Sequence, residues 1–119
     1  MQNPGWVLEL FKAIDSMDSK KFASFLTEDC AFTFGNAEPI TGRDNIDAAV
    51  EGFFASIKAI SHNDIETWES GDVTISRGIV TYTRHNGTQL TVDYCNIFRM
   101  QGSLIKKYNI YVDISQLYI

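Results

Sequence analysis

From Ser61 onward the hydrophobic period of this chain is two, whereas the segments before it are dominated by helical spacing. That switch limits the fold more than any other feature. Strands that follow one another with only short turns between them pair antiparallel, because a parallel pair needs a long crossover. Helices grouped ahead of an antiparallel meander define an α+β chain, with the sheet curling around its longest helix.

The first helix opens at Asn3-Pro4, and Val7, Leu10, Phe11 and Ile14 form its apolar stripe. The stretch Asp15 to Asp18 breaks it, and Asp18 is a suitable N-cap for a short helix that buries Phe22, Phe25 and Leu26. Thr27-Glu28-Asp29 reads as a turn, residues 30–34 as a short strand, and Gly35 to Ile40 as a loop. Thr41-Gly42-Arg43-Asp44 has the form of a capping box for a helix reaching to about residue 60, with Ile46, Val50, Phe53, Ile57 and Ile60 on its buried side. Strands follow at 62–70, 73–84 and 88–100, and a turn at Gln101-Gly102 or Gly102-Ser103 leads into the last. Asn86-Gly87 is the strongest hairpin signal and predicts a two-residue type I′ turn. The expected architecture is one domain over residues 1–119: a cone-shaped α+β barrel, three N-terminal helices packed in a curved, mainly antiparallel sheet.

Composition excludes several function classes. The 119 residues carry a net charge of -5, and Lys20-Lys21 and Lys106-Lys107 are only pairs, which argues against nucleic acid. No apolar run approaches the roughly 20 residues of a membrane span, and the first residues lack a signal-peptide pattern, so a cytoplasmic protein is expected. The two cysteines, Cys30 and Cys95, read as buried thiols, and His62 and His85 show no metal-ligand spacing with them. There is no glycine-rich phosphate loop and no nucleophile elbow. Neither a metal nor a cofactor is expected.

The residues with chemical promise sit at the C-terminal end. If residues 88–114 form a regular hairpin, Leu90, Val92, Tyr94, Asn96 and Phe98 share a face with Ile105, Lys107, Asn109, Tyr111 and Asp113. Polar groups on an otherwise apolar face point to a small-molecule pocket, since their burial is costly without partners. Asp113 is then the candidate general base, or else a carboxylate capping backbone at the strand end. Asn96 and Asn109 could orient a ligand oxygen or bond each other. Trp6, Phe34, Phe53, Tyr94 and Tyr111 are the aromatic candidates for the wall. Lys107 reads as a rim lysine and His85 as exposed. Arg77 faces inward only if the hairpin at residues 86–87 alternates perfectly. His62 reads as a surface or helix-capping residue, with a base at the end of the long helix as its alternative. A bulge in either hairpin would break these assignments locally.

Four blocks carry a resemblance: Phe25-Leu26-Thr27-Glu28-Asp29-Cys30-Ala31, Glu38 to Asp44, Asn96-Ile97-Phe98-Arg99-Met100, and Tyr108 to Leu117. Together they resemble the SnoaL-like branch of the nuclear-transport-factor-2-like superfamily, which includes isomerases, cyclases, dehydratases, hydrolases and binding proteins. Beside its ketosteroid isomerases, the oxyanion tyrosine falls on Leu10 and the general-base aspartate on Phe34, leaving both as wall residues; the second oxyanion donor falls on Asn96. The polyketide cyclases of the branch imply an acid/base aspartate at Asp113, but their neighbouring-strand histidine has no counterpart among Tyr94, Asn96 and Phe98. The resemblance also implies homodimers, and the other hairpin face (Cys95, Ile97, Leu104, Tyr108, Ile110, Val112) is apolar enough to need a cover. The expectations are a cofactor-free cyclase, isomerase or dehydratase acting through Asp113 and Asn96 on a small apolar or aromatic carbonyl metabolite, a non-catalytic binder of such a molecule, or a dimeric scaffold.

Overall fold

A computed structural model of the chain describes residues 3–118. Helix α1 (Gly5–Asp15) starts after Pro4 and buries Val7, Leu10, Phe11 and Ile14, the stripe its spacing predicts. At roughly 1.5–3 kcal/mol for each large apolar side chain fully removed from water, that stripe holds α1 on the sheet. Asp18 caps the short helix α2 (Ser19–Ala23) by accepting from the Lys21 N–H at 3.0 Å. Strand β1 (Leu26–Phe34) is longer than expected, because Thr27-Glu28-Asp29 stays extended instead of turning. The two-residue β2 (Ile40–Thr41) pairs with it.

Helix α3 (Arg43–Ala55) is shorter than its apolar spacing suggests; Ile57 and Ile60 are buried from the segment that follows it. The capping box does not form. Thr41 is committed to β2, and Gly42, at φ +100°, takes the cap position without a side-chain hydrogen bond. Strands β3 (Ala59–Ser70), β4 (Val73–Thr83), β5 (Gln89–Gln101) and β6 (Leu104–Val112) complete a six-stranded sheet in the order β2-β1-β6-β5-β4-β3. Every pairing is antiparallel except β1 with β6, which is parallel. The three helices cover one face, giving the expected cone-type α+β architecture as a mixed sheet.

Two irregularities decide which side chains meet the helices. At the 84–88 hairpin, Arg84 and Thr88 pair through an Arg84 N–H bond to the Thr88 carbonyl at 2.8 Å, leaving a three-residue loop. Only Gly87 there has positive φ, whereas a type I′ turn needs two such residues. Asn86 instead accepts from the Thr88 N–H at 2.9 Å. The added residue sets Ser76 opposite Asn96 and turns Arg77 outward, where it meets Glu66 at 2.9 Å and Asp93 at 3.5 Å. Val80 and Tyr82 take the inner positions, buried to 1% and 3% exposure.

The second irregularity is in β6, where Arg99 pairs with Lys107 but Met100 pairs with Ile105, so Lys106 is an extra residue. A regular strand would aim one of two consecutive lysines into the core, which costs several kcal/mol for an unpaired ammonium. The bulge keeps Lys106 and Lys107 both exposed, while Ile105 and Tyr108 are fully buried. Beyond it, every side chain of β6 has changed faces relative to regular alternation.

A third constraint lies at Gly78, directly opposite Tyr94. Strand β3 bulges between Asn63 and Glu66, with Asp64 at φ +55°, and its carbonyls cross close over that glycine. A Cβ there would lie 2.7 Å from the Asn63 carbonyl oxygen and 2.8 Å from the Tyr94 hydroxyl. Backbone cannot yield as a flexible side chain can. Gly78→Ala should therefore destabilise the protein by about 1–3 kcal/mol in denaturant melts, and unchanged stability would contradict this packing. A separate clasp joins α2 to α3, where Lys20 Nζ donates to Asp47 Oδ2 at 2.6 Å. That hydrogen bond holds the Asp47 carboxyl below the usual carboxylate range. Its stabilisation is present above the ordinary carboxylate pKa and is lost as pH falls through the lowered value. Asp47→Asn should flatten the acid limb of a pH–stability curve; an unaltered limb would remove the clasp from the account.

Candidate functional site

Between the helices and the inner face of the sheet lies a cavity of about 200 Å³. Its apolar wall comes from several layers: Phe22 of α2, Phe34 of β1, Val50 and Phe53 of α3, and Ile110 of β6. Phe53 anchors one side, 5.0 Å from the Phe34 ring and edge-on to Tyr82 at 6.0 Å between centroids. No lysine or arginine lines the space among the described residues.

Its polar members are His62, Tyr82, Tyr94, Asn96 and Tyr108. Asn96 is 2% exposed, and its Oδ1 has no hydrogen-bond partner among the described residues. The same holds for the hydroxyl of Tyr108, whereas the Tyr94 hydroxyl lies beside Gly78 and within reach of Ser76 on β4. Native proteins satisfy the great majority of buried polar atoms, so two orphans on residues that line one void need a reason. Burial pushes the Tyr94 and Tyr108 phenols far above their ordinary pKa, which keeps both protonated and able to donate. Tyr108 is fixed by Phe32 and Phe98, with centroids at 5.2 and 4.6 Å.

His62 is held most firmly. Its ring Nδ1 is 2.6 Å from Asp15 Oδ1, and its backbone N–H donates to Asp15 Oδ2 at 3.0 Å. Asp15 is the last residue of α1, so one carboxylate fixes both the strand and the ring. Phe11 stacks on the imidazole at 4.5 Å, and Tyr94 meets it edge-on at 5.1 Å. With Nδ1 committed to the carboxylate, Nε2 is the free nitrogen of a side chain only 8% exposed.

Of the residues expected at the site, Asn96, Tyr94, Phe34 and Phe53 line the cavity. Five do not. The β6 bulge places Asn109, Tyr111 and Asp113 on the outer side; Tyr111 is 55% exposed. Asp113 is exposed and accepts from the Ser115 N–H at 2.9 Å. That backbone bond holds its carboxyl below the usual range, the opposite of what a base working near neutrality needs. Leu10 is fully buried core, and Trp6 packs edge-on against Phe98 at 5.3 Å. Lys107 is exposed rather than on the inner face.

Sequence reasoning underrated His62 and missed Tyr108. His62, read from the sequence as a surface or helix-capping residue, instead lies on the inner side with Ile60, and the β3 bulge separates it from Glu66 and Trp68. The signal for Tyr108 was the Lys106-Lys107 pair, which requires a bulge. Cys30 is buried with its thiol pushed up to about 11 by desolvation and Asp29, so it is an inert core residue. Among the described residues no three His, Cys, Asp or Glu side chains come together as metal ligands, and no helix is long and apolar enough to cross a membrane.

Comparison with known proteins places this geometry. A ketosteroid isomerase-like protein from Catenulispora acidiphila, solved with trimethylamine, superposes with a TM-score of 0.88 at 16% identity, covering 96% of this chain and 89% of that one. A candidate polyketide cyclase from Xanthomonas campestris gives 0.86 at 18% identity, covering 95% and 91%. TerC, co-crystallised with polyporic acid, gives 0.81 at 16% identity, covering 94% and 92%. At such identities the likeness is one of fold. No curated protein matches the sequence. The sequence profile of the SnoaL-like domain matches residues 7–108, and the chain belongs to that family.

Proposed function

We propose that the cavity takes up a small, uncharged, largely apolar molecule bearing a carbonyl or hydroxyl group. The observation that carries this reading is the pair of partnerless buried polar atoms on Asn96 and Tyr108, two residues that line one apolar void. Leaving a buried polar atom unsatisfied costs about 1–3 kcal/mol, and a ligand oxygen or hydroxyl would recover much of that. With no lysine or arginine on the wall, a carboxylate or phosphate has no permanent counter-charge there. A void of 200 Å³ suits a molecule of one or two rings. The ligands that accompany two of the structural neighbours, trimethylamine and polyporic acid, support small-molecule binding in this fold.

The reaction this reading favours is cofactor-free proton transfer: isomerisation, cyclisation or dehydration of a carbonyl compound. Asn96 remains a candidate to hold the ligand oxygen, while the outward Asp113 has no access to it. Non-catalytic binding is the second reading, favoured by Leu10 and Phe34 at the positions where a tyrosine and an aspartate serve ketosteroid isomerases. The outer sheet face bears Ile75, Cys95, Ile97, Trp68 and Tyr111, and we read it as a homodimer interface; Tyr108, Ile110 and Val112 do not belong to it.

Asn96→Leu separates ligand recognition from stability. If Asn96 serves a ligand, replacing its orphaned amide with an apolar group leaves the melting temperature equal or higher and weakens binding of neutral bicyclic ketones at least tenfold, about 1.4 kcal/mol. A large loss of stability would assign Asn96 to structure instead. Thermal-shift measurements with neutral ketones and their carboxylate analogues complete the test: only the neutral series should raise the melting temperature.

A further inference from the structure

The proposed pocket leaves one piece of chemistry unassigned, the His62–Asp15 pair. A histidine that merely ties α1 to β3 could make that tie from the surface. Here the backbone N–H of His62 already makes one bond to Asp15, at 3.0 Å, so the ring is not required for the connection. The ring is instead almost wholly buried, pinned through Nδ1 at 2.6 Å, stacked on Phe11, and placed on the cavity wall beside Tyr94. Each of these contacts fixes the tautomer or the plane of the imidazole, and none uses Nε2.

We propose that His62 is a general base acting on a neutral ketone or enone held in the cavity, with Asp15 as the positioning residue behind it. The proposal rests on the pocket reading above and adds the reacting group and the substrate class. Nε2 removes a proton from the carbon next to the carbonyl. The electron pair of that C–H bond becomes the enolate double bond, and the carbonyl π pair moves onto oxygen. Tyr108 through its hydroxyl and Asn96 through its Nδ2 amide, both residues lining the cavity, supply the donors for that oxygen. The imidazolium, stabilised by the Asp15 carboxylate, returns a proton either to the original carbon or to the far carbon of a conjugated system. Return to the original carbon gives hydrogen exchange once the Nε2 proton has traded with solvent, and return to the far one gives isomerisation. No other reactant is consumed, so the step balances with the side chains alone.

The substrate class follows from the wall. An imidazole is a modest base, so the proton must be activated by an adjacent carbonyl. The wall carries no lysine or arginine, so the enolate charge is met by neutral donors and by the imidazolium itself. Both features select a neutral cyclic ketone or enone over an acid or a phosphorylated sugar.

β-Tetralone in D2O provides the test, with binding followed by thermal shift and deuterium uptake at its α-carbons followed by NMR. The wild-type protein should accelerate uptake over buffer, and His62→Gln should lose roughly 10²–10⁴-fold of that acceleration while still binding the ketone. Asp15→Asn should lower the turnover rate with little change in KM, a split that a merely structural tie would not produce. Because His62→Gln could misfold, His62→Ala is measured with added imidazole, which should restore part of the exchange. Failure of imidazole to restore it in a folded variant counts against the base role. If β-tetralone binds and the wild-type exchange equals that of buffer, or if His62→Gln retains wild-type exchange, the base assignment is overturned and the pocket reading stands. If β-tetralone does not bind, both are overturned.

Discussion

Two adjacent ammonium groups cannot both be kept out of a core by a regular strand, and this fold turns on that conflict. Lys106 and Lys107 lie between Ile105 and Tyr108, both of which are fully buried. Inserting one extra residue satisfies all four side chains. The cost is a local loss of ladder hydrogen bonding, small beside the desolvation of a lone ammonium. From that residue on, the identity of the inner face is settled: Tyr108 and Ile110 meet the helices, and Tyr111 and Asp113 meet solvent.

The cavity is the outcome of similar compromises on neighbouring strands. The three-residue loop at His85-Asn86-Gly87 sends Arg77 outward and brings Ser76 opposite Asn96. The β3 bulge, passing over Gly78, separates His62 from the outward-facing residues that follow it. Helix α1 ends where its Asp15 can reach both the ring and the backbone of His62. Polar groups from β3, β4, β5 and β6 thus converge inside an otherwise aromatic and aliphatic shell. Each would be a liability in a solid core. Together around a void they form a site for a molecule with one polar end.

Much of the fold was legible in the sequence because it depends on period alone. The stripes of α1 and α3, the Asp18 cap and the meander of long strands all follow from spacing and from short polar motifs. The site was less legible, because it depends on register, and single-residue irregularities invert register without altering the apolar count. Asn96, Tyr94, Phe34 and Phe53 line the cavity, and Tyr94 and Asn96 do so because β5 keeps its alternation as far as the irregularity at Arg99/Met100. Asp113 and Tyr111 were misplaced by the Lys106 bulge, which the paired lysines announce once their burial cost is weighed. The Asn86-Gly87 signal identified a hairpin correctly but not its loop length. Asp15 and His62 lie 47 positions apart, and only the packed fold could reveal their contact.

His62, Asn96 and Ile110 share a void on the inner face of the sheet, while Ile75, Ile97 and Asp113 lie on the outer side. An NMR titration of isotope-labelled protein with a neutral bicyclic ketone examines that division directly. Resonances of the His62 ring, the Asn96 side-chain amide and the Ile60 and Ile110 methyls should shift together at one affinity, while those of Ile75, Ile97 and Asp113 stay in place. Shifts confined to the second group would place the ligand on the outside of the sheet and contradict the assignment of the cavity.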